Sequence, residues 1–443
     1  MSSKNKTTAA KEEAKPALVP KLRFPEFQSA GDWTTVELGA VATIRTEKVG
    51  NNICVPMSIT SGVGLVSQEE KFGRVIAGDS YKNYVLLKPY DFAYNKSATK
   101  EYPEGFLTLY SGAELAAVPN SIFTCFRVNG ESPDVRFLNY QFSDNLHGRW
   151  LRKFIQVGAR AHGSLSINDN DLMALPVPVP AGTTSVAEQK KIAECLSSVD
   201  ELIAAHARKV DALKTHKKGL MRQLFPREGE TQPRLRFPEF QNAGKWDFKP
   251  FEEFVTKSFY GTSSSTSPTG KYPVLRMGNM LDGGLDFTNL VYIDLDPDSF
   301  ESFRLEDGDI LLNRTNSPAL VGKISLFRLK SECMTASYIV TYRLNKKRID
   351  PSFCNSMLNT PLYQARIRSF AKPSVSQVNI NPTTFKKDLI VSVPSLPEQE
   401  RIASCLSSLD ALITTETQKL EALKTHKKGL MQQLFPSPEE VEA

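Results

Sequence analysis

The sequence holds no run of apolar residues approaching the roughly 18 needed to cross a bilayer, so no membrane span is expected. Its five histidines form neither an HExxH pair nor a CxxC–HxxH set, which removes the common zinc sites. The six cysteines (Cys54, Cys125, Cys195, Cys333, Cys354 and Cys405) have no paired metal spacing, and no secretory signal precedes them. They are expected to be reduced thiols of a cytoplasmic protein. The signatures of methyl, phosphoryl and nuclease chemistry are missing as well. Asn381-Pro-Thr-Thr lacks the second Pro and the ring of an Asn/Asp-Pro-Pro-aromatic methyltransferase motif, and Gly62-Val-Gly64 is an isolated glycine pair. Gly270-Lys271 and Gly322-Lys323 lack the upstream Gly of a P-loop, and neither Lys precedes Ser or Thr. Pro297-Asp298 and Pro133-Asp134 have no downstream acidic-x-Lys partner for a nuclease metal. No catalytic residue and no metal ligand is therefore expected on this chain, and binding is the function class left.

What is present is a duplication. Lys21 to Trp33 (KLRFPEFQSAGDW) is answered by Arg234 to Trp246 (RLRFPEFQNAGKW), and Glu188 to Phe225 is answered by Glu398 to Phe435. Within the second pair the block ALKTHKKGLM, from Ala212 and from Ala422, is identical. The period is too long for a solenoid, so the chain reads as two tandem copies of one domain, Leu22 to Pro226 and Leu235 to Pro436. At 443 residues there is ample length for two cores, and the net charge of +6 suits a polyanionic partner without establishing one.

The Glu188–Phe225 and Glu398–Phe435 stretches carry a mostly apolar seam whose positions alternate spacings of four and three. In the first these are Ile192, Leu196, Val199, Ile203, His206, Val210, Leu213, Lys217, Leu220 and Leu224. In the second they are Ile402, Leu406, Leu409, Ile413, Glu416, Leu420, Leu423, Lys427, Leu430 and Leu434. Two seam positions per seven predict a coiled coil. Each helix is a rod of roughly 55 Å at 1.5 Å per residue. With the helices antiparallel and their midpoints matched, position 208 lies opposite about 418. His206 and Glu416 then fall in adjacent layers, where a hydrogen bond would fix the register.

Between the repeated borders the two copies diverge. Tyr84–Asn95 and Ser121–Val128 in the first, with Pro273–Met277, Asp309–Leu312 and Ser337–Leu344 in the second, are β-prone. A helical stretch follows in each, about Val135 to Ile155 and Ser352 to Ala371. Then come a polar loop (Gly158–Asn168, Lys372–Asn381) and an extended proline-punctuated segment (Leu175–Pro180, Val391–Pro397). The predicted organisation is a disordered tail over 1–20, a first α/β domain over 21–185, and a first spacer helix over 186–226. A second α/β domain over 227–395, a second spacer helix over 396–436 and a short tail over 437–443 complete it.

With these residues in view, the chain resembles a specificity subunit of a type I restriction–modification system. The resemblance rests on RFPEF near the start of each half, on the paired helices that begin at Glu-Gln and end in KKGLMRQLFP and KKGLMQQLFP, and on two divergent domains between them. It covers residues 21 to 436. It implies a mixed α/β fold in which two target-recognition domains are separated by two long antiparallel coiled-coil helices. It implies a non-catalytic DNA reader whose domains each recognise half of a bipartite, asymmetric site. The implied partners are double-stranded DNA, methyltransferase subunits (two of them) and restriction/translocase subunits. S-adenosylmethionine, ATP and Mg2+ belong to those partners, with no cofactor on this chain. The alternatives are a specificity module of a different DNA-modification enzyme and a coiled-coil scaffold, which would leave the paired basic loops unexplained.

Base edges are read by Arg, Lys, Asn, Gln, Ser or Thr on a rigid platform, with further basic groups on phosphates. The first domain offers Asn95, Lys96, Ser97 and Lys100 after a strand, and Arg160, His162 and Ser164 in a small-residue loop. The second offers Arg276, Asn279, Asn313, Arg314, Thr315 and Asn316 after strands, and the run Arg366, Arg368, Lys372, Ser374, Ser376 and Gln377. Lys214, Lys217 and Lys218, with Lys424, Lys427 and Lys428, are candidates for phosphate contact along the spacer.

Overall fold

The computed structural model describes residues 18–60, 62–155, 163, 165–318, 320–329, 331–373 and 377–437. The tail before Leu18 and the residues beyond Ser437 lie outside this set. The fold is mixed α/β and divides into two compact units, Met1–Ala205 with Leu420–Ala443, and His206–Lys419. Each unit therefore takes in part of both long helices, Ser185–Leu224 and Leu396–Leu434.

In the first unit an antiparallel sheet has the order Ala42–Arg45, Phe123–Val128, Phe92–Asn95, Phe106–Leu109. The second unit repeats it as Val255–Tyr260, Ile339–Leu344, Ile310–Asn313, Ile324–Leu326. The central strands are apolar on both faces because both are covered. Phe92 and Phe126 stack at 5.1 Å beneath Phe142, and Tyr342 stacks on Phe385 at 5.6 Å. A smaller sheet flanks each, with one parallel pairing apiece: Val55–Thr60 with Ala116–Val118, and Tyr272–Leu275 with Met334–Thr335.

Each core is closed from both ends of the duplication. In the first unit Trp33, Phe92, Phe126 and Phe137 pack with Ile192 and Leu196 from the start of the first long helix. The same core holds Met431, Leu434 and Phe435 from the end of the second. In the second unit Trp246, Tyr342, Phe353 and Phe385 pack with Ile402 and Leu406, and with Leu224 and Phe225. The Phe435 ring sits 6.4 Å from Trp33 and 5.4 Å from Phe137; Phe225 sits 6.2 Å from Trp246 and 5.4 Å from Phe353. Burying one such ring stabilises by about 1.5–3 kcal/mol.

The repeated borders hold this arrangement together through a polar frame. Arg23 makes a two-pronged bond to Glu188 (2.8 and 2.7 Å) and donates to the carbonyls of Ala30 and Gly31. Arg236 does the same with Glu398 (2.7 and 2.7 Å), Ala243 and Gly244. The glutamine beside each Glu accepts a backbone N–H, Gln189 from Asp134 at 2.7 Å and Gln399 from Asp350 at 3.0 Å. Those aspartates in turn cap helices Val135–Ser143 and Pro351–Leu358. The RFPEF and Glu-Gln motifs are thus two sides of one clamp.

Every seam residue of the two helices is buried or half-buried. The pairing is antiparallel: within the second unit His206 and Lys209 meet Glu416, while Lys217 meets Asp410 at 2.5 Å. Within the first, Lys427 reaches Asp200 at 2.6 and 2.8 Å. Lys217 and Lys427 are therefore spent on interhelical ion pairs, whereas Lys214, Lys218 and Lys428 are exposed. His206 Nδ1 lies 2.9 Å from Glu416 Oε2. Lys209, at 3.0 Å, holds the Glu416 carboxyl far below its ordinary value of 4.5, at about 2, with His206 and Lys419 adding to it against the effect of burial. A depressed carboxylate contributes stability above its unfolded value and loses it as pH falls. Acid titration should therefore weaken the helix pair between about pH 4.5 and pH 2, and Glu416→Gln should flatten that limb. Changing His206 and Glu416 together to Leu should hold or raise the melting temperature, since an apolar pair replaces a buried polar one. A large loss of stability would refute this.

Several elements differ from the sequence expectation. The stretch Val135–Ile155 is two helices, Val135–Ser143 and Leu146–Leu151, broken where Asn145 takes φ +62°, a left-handed conformation that Asn tolerates. Ser352–Ala371 is broken into Pro351–Leu358 and Pro361–Ser369, because Pro361 cannot continue the first helix but starts the second, capped by Thr360. The run Tyr84–Asn95 splits into Val85–Leu87 and Phe92–Asn95, which join different sheets. The first proline-punctuated segment is a strand, Pro176–Pro180 paired with Trp33–Glu37; of the second only the start is, within Ile390–Val393 paired with Asp247–Pro250, and Pro397 lies in the first turn of Leu396–Leu434. Pro176, Pro178, Pro180 and Pro250 are tolerated because each of these sheets has only two strands, with an unpaired side to face.

Candidate nucleic-acid interface

In each main sheet one inner strand, Phe92–Asn95 or Ile310–Asn313, follows directly on a buried aspartate and ends at a buried asparagine. Asp91 accepts from Lys88 N–H (2.7 Å) and from Arg127 on the neighbouring strand (2.6 Å). Asp309 accepts from Glu306 N–H (2.8 Å) and from Arg343 (3.0 and 2.9 Å). These pairs fix where the strand ends emerge. The next residue is fastened on both sides. Lys96 donates its N–H to Ile122 and accepts from Leu165, and Arg314 donates to Tyr338 and accepts from Ile380. Asn95-Lys96-Ser97 and Asn313-Arg314-Thr315 thus stand at equivalent places in the two units. The repeated pattern, Asp then Asn-Lys/Arg-Ser/Thr, was available in the sequence as a sign of their kinship.

Three of the candidate asparagines are buried. Asn95 is 5% exposed and accepts the N–H of Ser97, so it shapes the loop. Asn313 is fully buried, its amide near Leu320 O, and Asn279 holds the carbonyls of Asp286 and Thr288. None of the three presents a free edge to a base. Polar residues after a strand look alike in sequence whether they face out or bind their own backbone.

In the first unit Lys96 Nζ lies 3.1 Å from Asp169, which also accepts from Thr124 at 2.6 Å. Asp169 titrates below its ordinary value despite partial burial, through Thr124 and Lys96. Ser97 is half-buried and Lys100 exposed, and Ala98 N–H binds Gly163 O. Arg160, His162 and Ser164 lie outside the described residues.

In the second unit a three-stranded sheet, Thr315–Asn316, Val378–Ile380 and Ala371–Pro373, holds Thr315, Asn316 and Lys372. Thr315 and Lys372 both lie opposite Asn379, and exposed Gln377 leads into the middle strand. Asn316 Nδ2 touches Met277 Sδ at 3.1 Å, which brings exposed Arg276 to the same place. A cleft lined by Arg276, Asn279, Thr288, Asn289 and Tyr338 opens there. Arg368 is exposed and Arg366 lies over the Tyr363 ring, both in the last turn of Pro361–Ser369. Ser374 and Ser376 are outside the described residues. Among the described residues no group of three His, Cys, Asp or Glu side chains is placed to hold a metal, and no helix is long and apolar enough to cross a membrane.

Residues 244–425 match the type I restriction modification DNA specificity domain. The chain is 34% identical over 166 residues to the MjaX specificity subunit of Methanocaldococcus jannaschii. Over these stretches the chain is similar to type I restriction–modification specificity subunits. The MjaX match covers 37% of this chain and 39% of the relative. The MjaVIII specificity subunit of the same organism is 22% identical over 289 residues, 64% of this chain and 66% of that one. The EcoKI specificity subunit of Escherichia coli is 24% identical over 276 residues, 60% and 56% of the two chains. This chain thus spans about two-fifths of the first relative's length and just under two thirds of the second's. Among solved structures, the S subunit of a type I system from M. genitalium has a similar fold, with TM-score 0.56 and 14% identity over 95% of this chain and 100% of that one. A chain from a type I assembly has TM-score 0.53 and 15% identity, over 92% and 98%. These two comparisons speak for the fold alone.

Proposed function

We propose that this chain is the DNA-reading subunit of a type I restriction–modification complex, each unit recognising one half of a bipartite, asymmetric duplex target. Partner methyltransferase and endonuclease subunits are directed to that target. The carrying observation is that two units with one fold give equivalent strand ends different surroundings, with Lys96 paired to Asp169 in one and Arg314 Nε left without an acceptor in the other. This is what two independent readers of unlike half-sites require. The identical helix blocks, by contrast, present the same surface twice, which suits two copies of one partner subunit. S-adenosylmethionine, ATP and Mg2+ are assigned to the partners, and the chain alone is proposed to be non-catalytic.

Replacing residues 248–390 with the equivalent region of a relative tests this in cells that carry the partner subunits. Sequencing of methylated DNA should show one half of the target changed and the other kept. A change in both halves, or in neither with activity intact, would overturn the assignment. DNA affinity of the assembled subunit should also fall steeply with salt as counterions are released.

A further inference from the structure

The residue after each buried asparagine occupies the same place in the two units but meets different surroundings. Lys96 is neutralised by Asp169. Arg314 has no carboxylate partner among the described residues, and its Nε is buried without an acceptor. The Oδ1 of the neighbouring Asn313 is likewise buried and unpartnered. The Arg314 guanidinium lies over the Tyr260 ring, 5.3 Å from its centre. The strand end that carries Tyr260 is held close, since a Cβ on Gly261 would meet the Thr335 carbonyl oxygen at 1.9 Å. The Arg314 backbone is fixed by Tyr338 O at 3.1 Å and Ile380 N at 2.8 Å. The result is a planar donor group that lies over an aromatic ring, on a fastened stretch of backbone, with its Nε left without an acceptor.

We propose that Arg314 reads a guanine in the half-site of the second unit, donating to O6 and N7 in the major groove, and that its counterpart Lys96 reads no base. The inference rests on the DNA-recognition reading above. A phosphate anchor would be needed in both halves whatever their sequence, yet the equivalent cation of the first unit is already paired. A base reader is expected to differ between units that read different sequences. Arginine is also the residue whose rigid fork matches a guanine edge, where a lysine supplies only a point charge. The ring under the guanidinium and the fastened backbone beside it favour the defined orientation that such a match requires.

The test is selection of the full chain on randomised duplexes, read by sequencing, at fixed salt. The wild type should enrich a bipartite motif with a G·C pair in one half. Arg314→Ala should lose preference for that pair by about 10- to 100-fold while every other position is kept. Arg314→Lys, which keeps the charge and loses the fork, should relax the same position. Uniform weakening across all sequences, with the salt slope reduced by about 1, would identify a phosphate contact and overturn the proposal. An unchanged motif in Arg314→Ala, or full specificity in Arg314→Lys, would overturn it too. If Arg314→Ala fails to fold, Arg314→Lys carries the decision. Failure of the wild type to enrich any motif removes the DNA-recognition reading itself, and this assignment with it.

Discussion

Phe435→Ala is expected to destabilise the first unit by about 3–5 kcal/mol, the usual loss when a buried aromatic is cut back to alanine. The second unit should keep its stability. Phe435 is 7% exposed, among Trp33 and Phe137, more than 250 positions away in the chain. Phe225→Ala should do the converse, loosening the core around Trp246 and Phe353. Hydrogen exchange followed by mass spectrometry separates the two outcomes, because each unit's strands report their own opening. In Phe435→Ala, protection should fall in Trp33–Glu37, Phe92–Asn95 and Phe123–Val128 and persist in Ile310–Asn313 and Ile339–Leu344. Equal loss in both units would show that the crossed arrangement is wrong.

A comparable loss is expected from breaking the clamp. The side chains of Arg236 and Glu398 are 8% and 1% exposed, and the guanidinium makes four bonds. Arg236→Ala leaves a buried carboxylate without a cation and should cost about 3–5 kcal/mol. Arg236→Lys should recover only part of it, since an ammonium cannot reproduce the two-pronged contact. Removing both charges, as Arg236→Met with Glu398→Leu, should restore most of the loss, because the penalty lies in the stranded partner rather than in the missing pair. Urea unfolding with exchange readout on the second unit measures all three. If the double variant is no more stable than Arg236→Ala, the clamp acts through the carbonyls of Ala243 and Gly244 instead.

The helices were legible because their signal is local. Seam spacing placed them at Glu188–Phe225 and Glu398–Phe435, and the structure has Ser185–Leu224 and Leu396–Leu434. The duplication, too, could be read directly from RFPEF and the shared helix block. The purpose of RFPEF could not, because Arg23 and Arg236 find their glutamates 165 and 162 residues away, beyond any periodicity. At the interface the sequence picked out Lys96 and Arg314 but not what distinguishes them. That difference lies in Asp169 and Tyr260, contributed by distant segments. The burial of Asn95, Asn279 and Asn313 is not legible in the sequence, because the residue types that bind bases also bind backbone.

The crossing of the cores also sets an order of completion during synthesis. The second unit is one continuous stretch, His206–Lys419, and can close as soon as it has left the ribosome. The first cannot, since Met431, Leu434 and Phe435 belong to its core. At about 5–20 residues per second, the wait between residues 205 and 435 lasts roughly 10–50 seconds. The earlier half of the chain is finished last, and through that interval the apolar socket around Trp33 and Phe137 stands open to chaperones and to other nascent chains.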